Sequence, residues 1–245
     1  MRYFGLIGYP LTHSFSKVYF TNKFEQEGLS NCRYENFPIS TIGELKNILH
    51  DHPGLEGLNV TIPYKQQVIS FLHQQSPVVQ LISACNCIKI ADGKLYGYNT
   101  DVTGFKQSFE KHLQAHHKKA LILGSGGASK AVEYVLSQSG IRFQVVSRKP
   151  DLGQLHYSSL NQEVIEDHSI IINTTPLGTS PNTEMAPGIP FQFLTPKHYL
   201  FDVVYNPEKT KFLKLGEEKG AIIQNGSEML NIQAEESWKI WNDLV

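Results

Sequence analysis

KKALILGSGGASKAVEYVL, residues 118–136, decides the fold. A strand-length apolar run, Ala120 to Leu123, stops at a glycine turn, and the residues after it repeat apolar positions with a helical period. A strand that hands over to a helix through GSGGAS lets backbone N–H groups approach an anion, which the positive end of the helix dipole favours. Gly124, Gly126 and Ser129 occupy the three small positions of a dinucleotide-binding turn, although the same turn also serves as a plain strand-to-helix connection.

The next strand strengthens the ligand reading. Its apolar run, IRFQVV, ends at Ser147, Arg148 and Lys149, where dinucleotide sites place the residue that recognises the ribose. An acid there would bind a free 2′-hydroxyl and repel a 2′-phosphate. Two adjacent cations select the phosphorylated cofactor, NADP(H) rather than NAD, unless they form only a solvated basic turn. Three more strands come after in SIIINTTP, HYLFDVVY and GAIIQN, with helical KTKFLKLGEEKG before the last, and PNTEMAPGIP (181–190) reads as a surface loop.

Upstream the same rhythm recurs: YFGLI then SKVYFTNKFEQEG, CRYENF then TIGELKNILHD, LEGLNV then PYKQQVISFL. Alternating strands and helices predict a mostly parallel sheet. From Ala84 the pattern changes to ACNCIKI and KLYGYN joined at Asp92–Gly93, an antiparallel hairpin. A helix, VTGFKQSFEKHL, then leads into the second series, and the chain closes on a long amphipathic helix with Met229, Gln233 and Ser237 on one stripe and Trp238 and Trp241 as core anchors.

The expected fold class is therefore α/β with two domains. Residues 1–100 plus 227–245 form a substrate-binding domain, and residues 101–226 form a Rossmann-type NADP-binding domain, with the active site in the cleft. The 245 residues suit two such domains, and the 22 basic against 23 acidic residues are scattered apart from HHKK at 116–119, read as a solvated linker, so no nucleic-acid partner is expected. No apolar stretch reaches membrane length, and the expected location is cytoplasmic. Three cysteines give no disulfide framework, and no His pair completes a metal site around Cys85 and Cys87, which are expected on one face of a strand; metal is expected to be absent.

Chemistry is carried by NVTIPYK, residues 59–65. With Pro63 in a first helical turn, capped by Thr61 or Ile62, Lys65 would stand at the helix end that opposes a cation, although early-helix lysines commonly just face water. Asp101 is a good helix cap, but a cap does not explain Ser14, Ser16, Asn59, Thr61, Asn86 and Asn99, short polar groups at the ends of several strands, where open α/β sheets bind ligands. Such a set suits a small, polyhydroxylated, anionic substrate.

In THSFS, NVTIPYK, ACNC, YNTD, GSGGAS, SRK, NTTPLGT, DVVYNPEKT and GSEMLNIQAEES, spread in order from residue 12 to residue 237, the chain resembles the shikimate dehydrogenases. The resemblance implies an NADP-dependent oxidoreductase that reduces 3-dehydroshikimate to shikimate, in the shikimate pathway to chorismate and the aromatic amino acids. It implies Lys65 and Asp101 as the catalytic pair, Ser14 and Ser16 on the substrate carboxylate, and Thr61, Lys65, Asn86, Asp101 and Gln233 on its other oxygens, with Tyr205 as a neighbour. Gly124, Ser125, Gly126, Gly127 and Ala128 would form the phosphate loop, and Ser147, Arg148 and Lys149 the adenosine-phosphate site. Thr175 and Val203 would line the cofactor, with Gly226 and Met229 flanking the nicotinamide. Gln233 packing on its helix and Tyr205 capping a strand are the plainer readings. Lys17, where the family commonly has proline, and SRK in place of Asn-Arg-Thr are departures from the family pattern. A quinate/shikimate dehydrogenase using NAD, or a non-catalytic NADPH-binding regulator on the same fold, are the rival readings, and a monomer or a homodimer the expected assembly.

Overall fold

The computed structural model describes residues 1–11 and 14–243. Thr12 and His13 of the THSFS block, and the last two residues of the C-terminal segment, lie outside the described residues. The chain divides into two compact units, Met1–Thr100 with Ala234–Val245, and Asp101–Gln233.

In the first unit the order is β1 (Arg2–Gly8), α1 (Phe15–Gln26), β2 (Cys32–Pro38), α2 (Leu45–Asp51), β3 (Leu55–Val60), β4 (Gln74–Gln75), α3 (Pro77–Ile82), β5 (Cys87–Ala91) and β6 (Lys94–Tyr98). Its six-stranded sheet runs β2-β1-β3-β5-β6-β4. β2, β1 and β3 are parallel, whereas β5 pairs antiparallel with both β3 and β6, so the sheet is mixed. The hairpin is as expected: Ala91 faces Lys94, and both Asp92 and Gly93 have positive φ, the primed turn that matches strand twist. The α3 helix carries no long apolar period, and it is fixed instead by Ser76, whose hydroxyl accepts the Val79 N–H, and by Pro77 in its first turn.

The cysteines depart from expectation. Cys85 precedes β5, with its N–H donated to the Lys65 carbonyl at 2.8 Å, and its thiol enters the core of Ile7, Leu58 and Ile88. Cys87 is the first strand residue and packs with Phe4, Phe20, Trp238 and Trp241. Strand alternation starts too late to place both thiols on one face. Around that second core Phe4 stacks on Trp241 at 4.9 Å between ring centroids and meets Trp238 edge-on at 5.4 Å, which ties the end of the chain to β1.

The second unit holds α4 (Asp101–Phe109), β7 (Lys119–Leu123), α5 (Gly127–Gln138), β8 (Arg142–Ser147), β9 (Leu155–His156), α6 (Gln162–Asp167), β10 (Ile170–Asn173), β11 (Tyr199–Asp202), α7 (Lys211–Glu217), β12 (Ile222–Gln224) and the start of α8 (Ser227–Trp241). Its sheet, β12-β11-β10-β7-β8-β9, is parallel throughout. Both faces are covered: Ala120 and Ile122 point to the core with Phe105 and Val132, Leu121 and Leu123 to the core with Ile165 and Phe212. That double burial is why β7 reads as an unbroken apolar run.

Two sequence readings are corrected here. His117 is buried rather than solvated; its Nδ1 accepts the Gln114 N–H at 3.0 Å, its Nε2 faces the Lys197 carbonyl at 3.2 Å, and burial lowers its pKa. Of the two histidines only His116 is exposed. The last helix, expected wholly in the first domain, is divided: Met229 is buried in the core with Phe105 and Val132, so the compact unit runs to Gln233.

Candidate active site

In the first unit the ends of β3 and β5 form one polar corner. The Val60 N–H donates to the Asn86 carbonyl at 2.8 Å, and the Lys65 carbonyl accepts the neighbouring Cys85 N–H, so Thr61, Lys65 and Asn86 are held together by backbone. Lys65 is not in the first turn of a helix. Residues 61–66 form turns, and the regular stretch beyond is a short 3-10 segment, Gln67–Phe71. Burial of Tyr64, whose hydroxyl donates to the Ile39 carbonyl at 2.6 Å, pins the turn before any helix can form. The dipole argument therefore does not apply to this lysine.

Ser14 caps α1, its Oγ accepting the Lys17 N–H at 3.2 Å, and Lys17 reaches Glu35 on β2 at 2.6 Å. Ser16 neighbours the Tyr34 hydroxyl, whose pKa burial pushes well up. From there a buried chain of bonds runs through the unit. Tyr34 Oη donates to Asn59 Oδ1 at 2.8 Å, Asn59 Nδ2 to Ser237 Oγ at 2.9 Å, and Ser237 shares a 3.2 Å bond with Thr100. Thr100 closes on Asn86, accepting Nδ2 at 3.0 Å and donating its N–H to Oδ1 at 2.6 Å. Asn59 and Asn99 were expected among the ligand-facing polar groups. Both are engaged internally, since Asn99 Nδ2 donates to the Ala84 carbonyl at 2.9 Å.

In the second unit Asp101 is the buried first residue of α4. Gln233 is also buried, its Nε2 donating to the Leu230 carbonyl at 2.9 Å. Tyr205 follows β11, and burial raises its phenol pKa. The phosphate loop leaves β7 at Gly124, whose φ of 107° and 2.9 Å approach of a would-be Cβ to Thr174 and Thr175 admit only glycine. Gly126 precedes α5 with open space over its Cα, the arrangement needed for backbone to approach a pyrophosphate. Ser129 turns inward, its Oγ donating to the Gly126 carbonyl at 2.7 Å, so this third small position serves helix packing. Ser125, Gly127 and Ala128 complete the turn. Strand order reverses between β8 and β10 around β7, which puts this loop at the switch point of the sheet.

Ser147, Arg148 and Lys149 line one surface depression at the end of β8, with Ser147 Oγ accepting the Lys149 N–H at 3.2 Å and both cations exposed. At the ends of β10 and β11 lies a group that the sequence reading missed. Asp202 is fully buried and accepts from Asn173 Nδ2 at 2.9 Å, the Val204 N–H at 3.0 Å and Thr210 Oγ1 at 2.6 Å. Burial pushes its carboxyl up to about 7 against the pull of those three donors. A lone acid between Phe201 and Val203 in an apolar run was the available signal. Thr175 and Val203 adjoin it, and Gly226 packs its Cα against the Val203 carbonyl, ahead of Met229 on α8.

These halves match known proteins along the whole chain. Residues 6–88 fit the model of the shikimate dehydrogenase substrate binding domain. A shikimate dehydrogenase (NADP(+)) of Caldicellulosiruptor bescii is 35% identical over 100% of this chain and 91% of its own. Among solved structures, shikimate 5-dehydrogenase from Thermus thermophilus in complex with NADP(H) and shikimate superposes with a TM-score of 0.88 at 28% identity, covering 100% of this chain and 95% of that one. Quinate dehydrogenase from Corynebacterium glutamicum in complex with NAD has a TM-score of 0.87 at 26% identity, covering 99% and 94%. Among the described residues no helix is long and apolar enough to cross a membrane. With 35% identity along the full chain to a shikimate dehydrogenase (NADP(+)), and with residues 6–88 matching the family's substrate binding domain, the chain belongs to the shikimate dehydrogenase family.

Proposed function

We propose that this chain is an NADP-dependent shikimate dehydrogenase that reduces 3-dehydroshikimate to shikimate in the cytoplasm, in the pathway to chorismate and the aromatic amino acids. The observation that carries the reading is the polar corner of Thr61, Lys65 and Asn86, fixed by backbone, on the same chain as a glycine phosphate loop followed by exposed cations. The open turn at Gly126 and the Ser147–Lys149 depression fit NADP(H), whose nicotinamide supplies the hydride when bound.

As a carbonyl carbon is reduced, its oxygen gains negative charge, so an ammonium within hydrogen-bond distance stabilises the transition state and can pass it a proton. Lys65 is assigned that role and Asp101 orients the amine. Ser14 and Ser16 take the substrate carboxylate, while Thr61, Asn86, Tyr205 and Gln233 take its remaining oxygens. Gly124 to Ala128 hold the pyrophosphate, Arg148 with Ser147 and Lys149 the 2′-phosphate, and Thr175, Val203, Gly226 and Met229 the nicotinamide end.

The decisive experiment is an absorbance assay of shikimate with NADP, run beside quinate and NAD; no reduced cofactor with shikimate ends this reading. The similarity in fold to an NAD-bound quinate dehydrogenase keeps that activity as the second reading. Arg148 favours the first. Arg148→Ala is expected to raise the KM for NADPH about tenfold, the scale of one charge-assisted hydrogen bond, with little effect on NADH. An unchanged cofactor preference would move phosphate recognition to other residues.

A further inference from the structure

Asp202 takes no part in the roles just assigned, yet it is a fully buried carboxylate accepting from Asn173, Val204 and Thr210. Thr210 accepts the Leu213 N–H at 3.4 Å, which commits its own hydroxyl proton to the carboxylate. Three donors converging on one group require an acceptor there. An amide would turn its NH2 toward a donor, and an apolar side chain would answer none of them. Holding such a group ionised in the core is costly, and each bond it makes leads to a residue at the carboxyl edge of the sheet.

Through Asn173 it reaches Thr175. With Nδ2 donated to Asp202, the Asn173 amide must present Oδ1 the other way, where it accepts the Thr175 N–H at 3.0 Å and Oγ1 at 2.6 Å. Through Val204 it reaches α8. The bent backbone at 202–204 turns the Val204 carbonyl to accept the Gly226 N–H at 3.1 Å, and lays the Val203 carbonyl against the place where a Cβ on residue 226 would stand. Thr210 anchors the other oxygen and caps α7.

We propose that Asp202 is a positioning residue for the nicotinamide end of the cofactor: it touches no ligand, and fixes Thr175, Val203 and Gly226 through its three hydrogen bonds. The inference rests on the NADP(H) reading above. Its signature is selective, because the 2′-phosphate end is assigned to Ser147, Arg148 and Lys149, and the hydrogen bonds of Asp202 run to Asn173, Val204 and Thr210 instead.

The test uses the full chain and two probes, NADPH followed by its fluorescence on binding and adenosine 2′,5′-bisphosphate followed by calorimetry. Asp202→Asn is expected to weaken NADPH about tenfold, the scale of one misdirected buried hydrogen bond, while the bisphosphate changes less than about twofold. Thr210→Val should show the same split and Thr210→Ser, which keeps the donor, should restore NADPH binding. Unaltered NADPH affinity in Asp202→Asn, or parallel loss of both probes in every variant that folds, overturns the proposal. If Asp202→Asn does not fold, the Thr210 pair decides alone. Wild-type protein that binds NADPH but does not oxidise shikimate ends the substrate reading and leaves these binding results decisive for Asp202; wild type that binds neither probe overturns both.

Discussion

Lys65→Ala is expected to lower turnover of shikimate by at least about a hundredfold, the scale of one positioned acid–base group, with the KM for shikimate changed far less. The substitution spares the turn. What fixes the corner is the bond from the Cys85 N–H to the backbone carbonyl of residue 65, together with the Tyr64 anchor, and neither involves the amine. Steady-state rates beside a thermal melt check this: a slow enzyme with an unshifted midpoint places the loss in chemistry. Near-normal rates would remove Lys65 from the reaction. Lys65→Arg is the sharper companion, since it keeps the charge and moves its centre.

Gly226→Ala is expected to be the most damaging small substitution in the second unit. A methyl group at that position would overlap the Val203 carbonyl oxygen and stand 2.6 Å from its carbon, both backbone atoms in a turn held by Asp202. Neither side can yield cheaply. Overpacking of this kind costs about 3 kcal/mol, readable as a lower denaturation midpoint at unchanged slope. NADPH binding should weaken with it, because Gly226 and the Val203 carbonyl bound the proposed nicotinamide end. Stability equal to wild type would mean that β11 and α8 can separate without cost, and that this contact does not constrain the turn.

How much of this was legible in the sequence depended on the range of the interactions involved. The second sheet was legible because its strands are buried on both faces and therefore spell out continuous apolar runs, such as Ala120–Leu123 and Ile170–Ile172. The hairpin was legible because Asp92–Gly93 is local chemistry. Short elements escaped: α3 and α6 are one-and-a-half-turn helices, specified by their caps Ser76 and Asn161 more than by any period. The stretch after β3 has a helical spacing of apolar residues, but Tyr64 is claimed by the Ile39 carbonyl far away in sequence, and the tertiary bond prevails over local pattern.

The candidate site divides in the same way. The glycines of the turn after β7 and the exposed cation after β8, Gly124, Gly126 and Arg148, could be named as candidates from spacing. The polar residues could be named but not sorted. Asn59 and Asn86 look alike in sequence, and their different partners come from far along the chain or from the next strand: Asn59 bonds to Tyr34 and Ser237, residues 25 and 178 positions distant, and Asn86 to Thr100. Asp202 was passed over because its importance lies in three partners spread from residue 173 to residue 210.

The division of α8 has a consequence for how the molecule is made. The aromatic cluster of Phe4, Phe20 and Phe24 is completed by Trp238 and Trp241, and the whole of residues 101–233 lies between them in the chain. During translation the first hundred residues therefore emerge with an unfinished interior and must wait for the final helix, whereas the intervening unit already holds all the strands of its own sheet. A nascent chain stalled before residue 234 should bind chaperones through its N-terminal portion, and a circular permutant that brings 234–243 ahead of residue 1 should be released from that dependence.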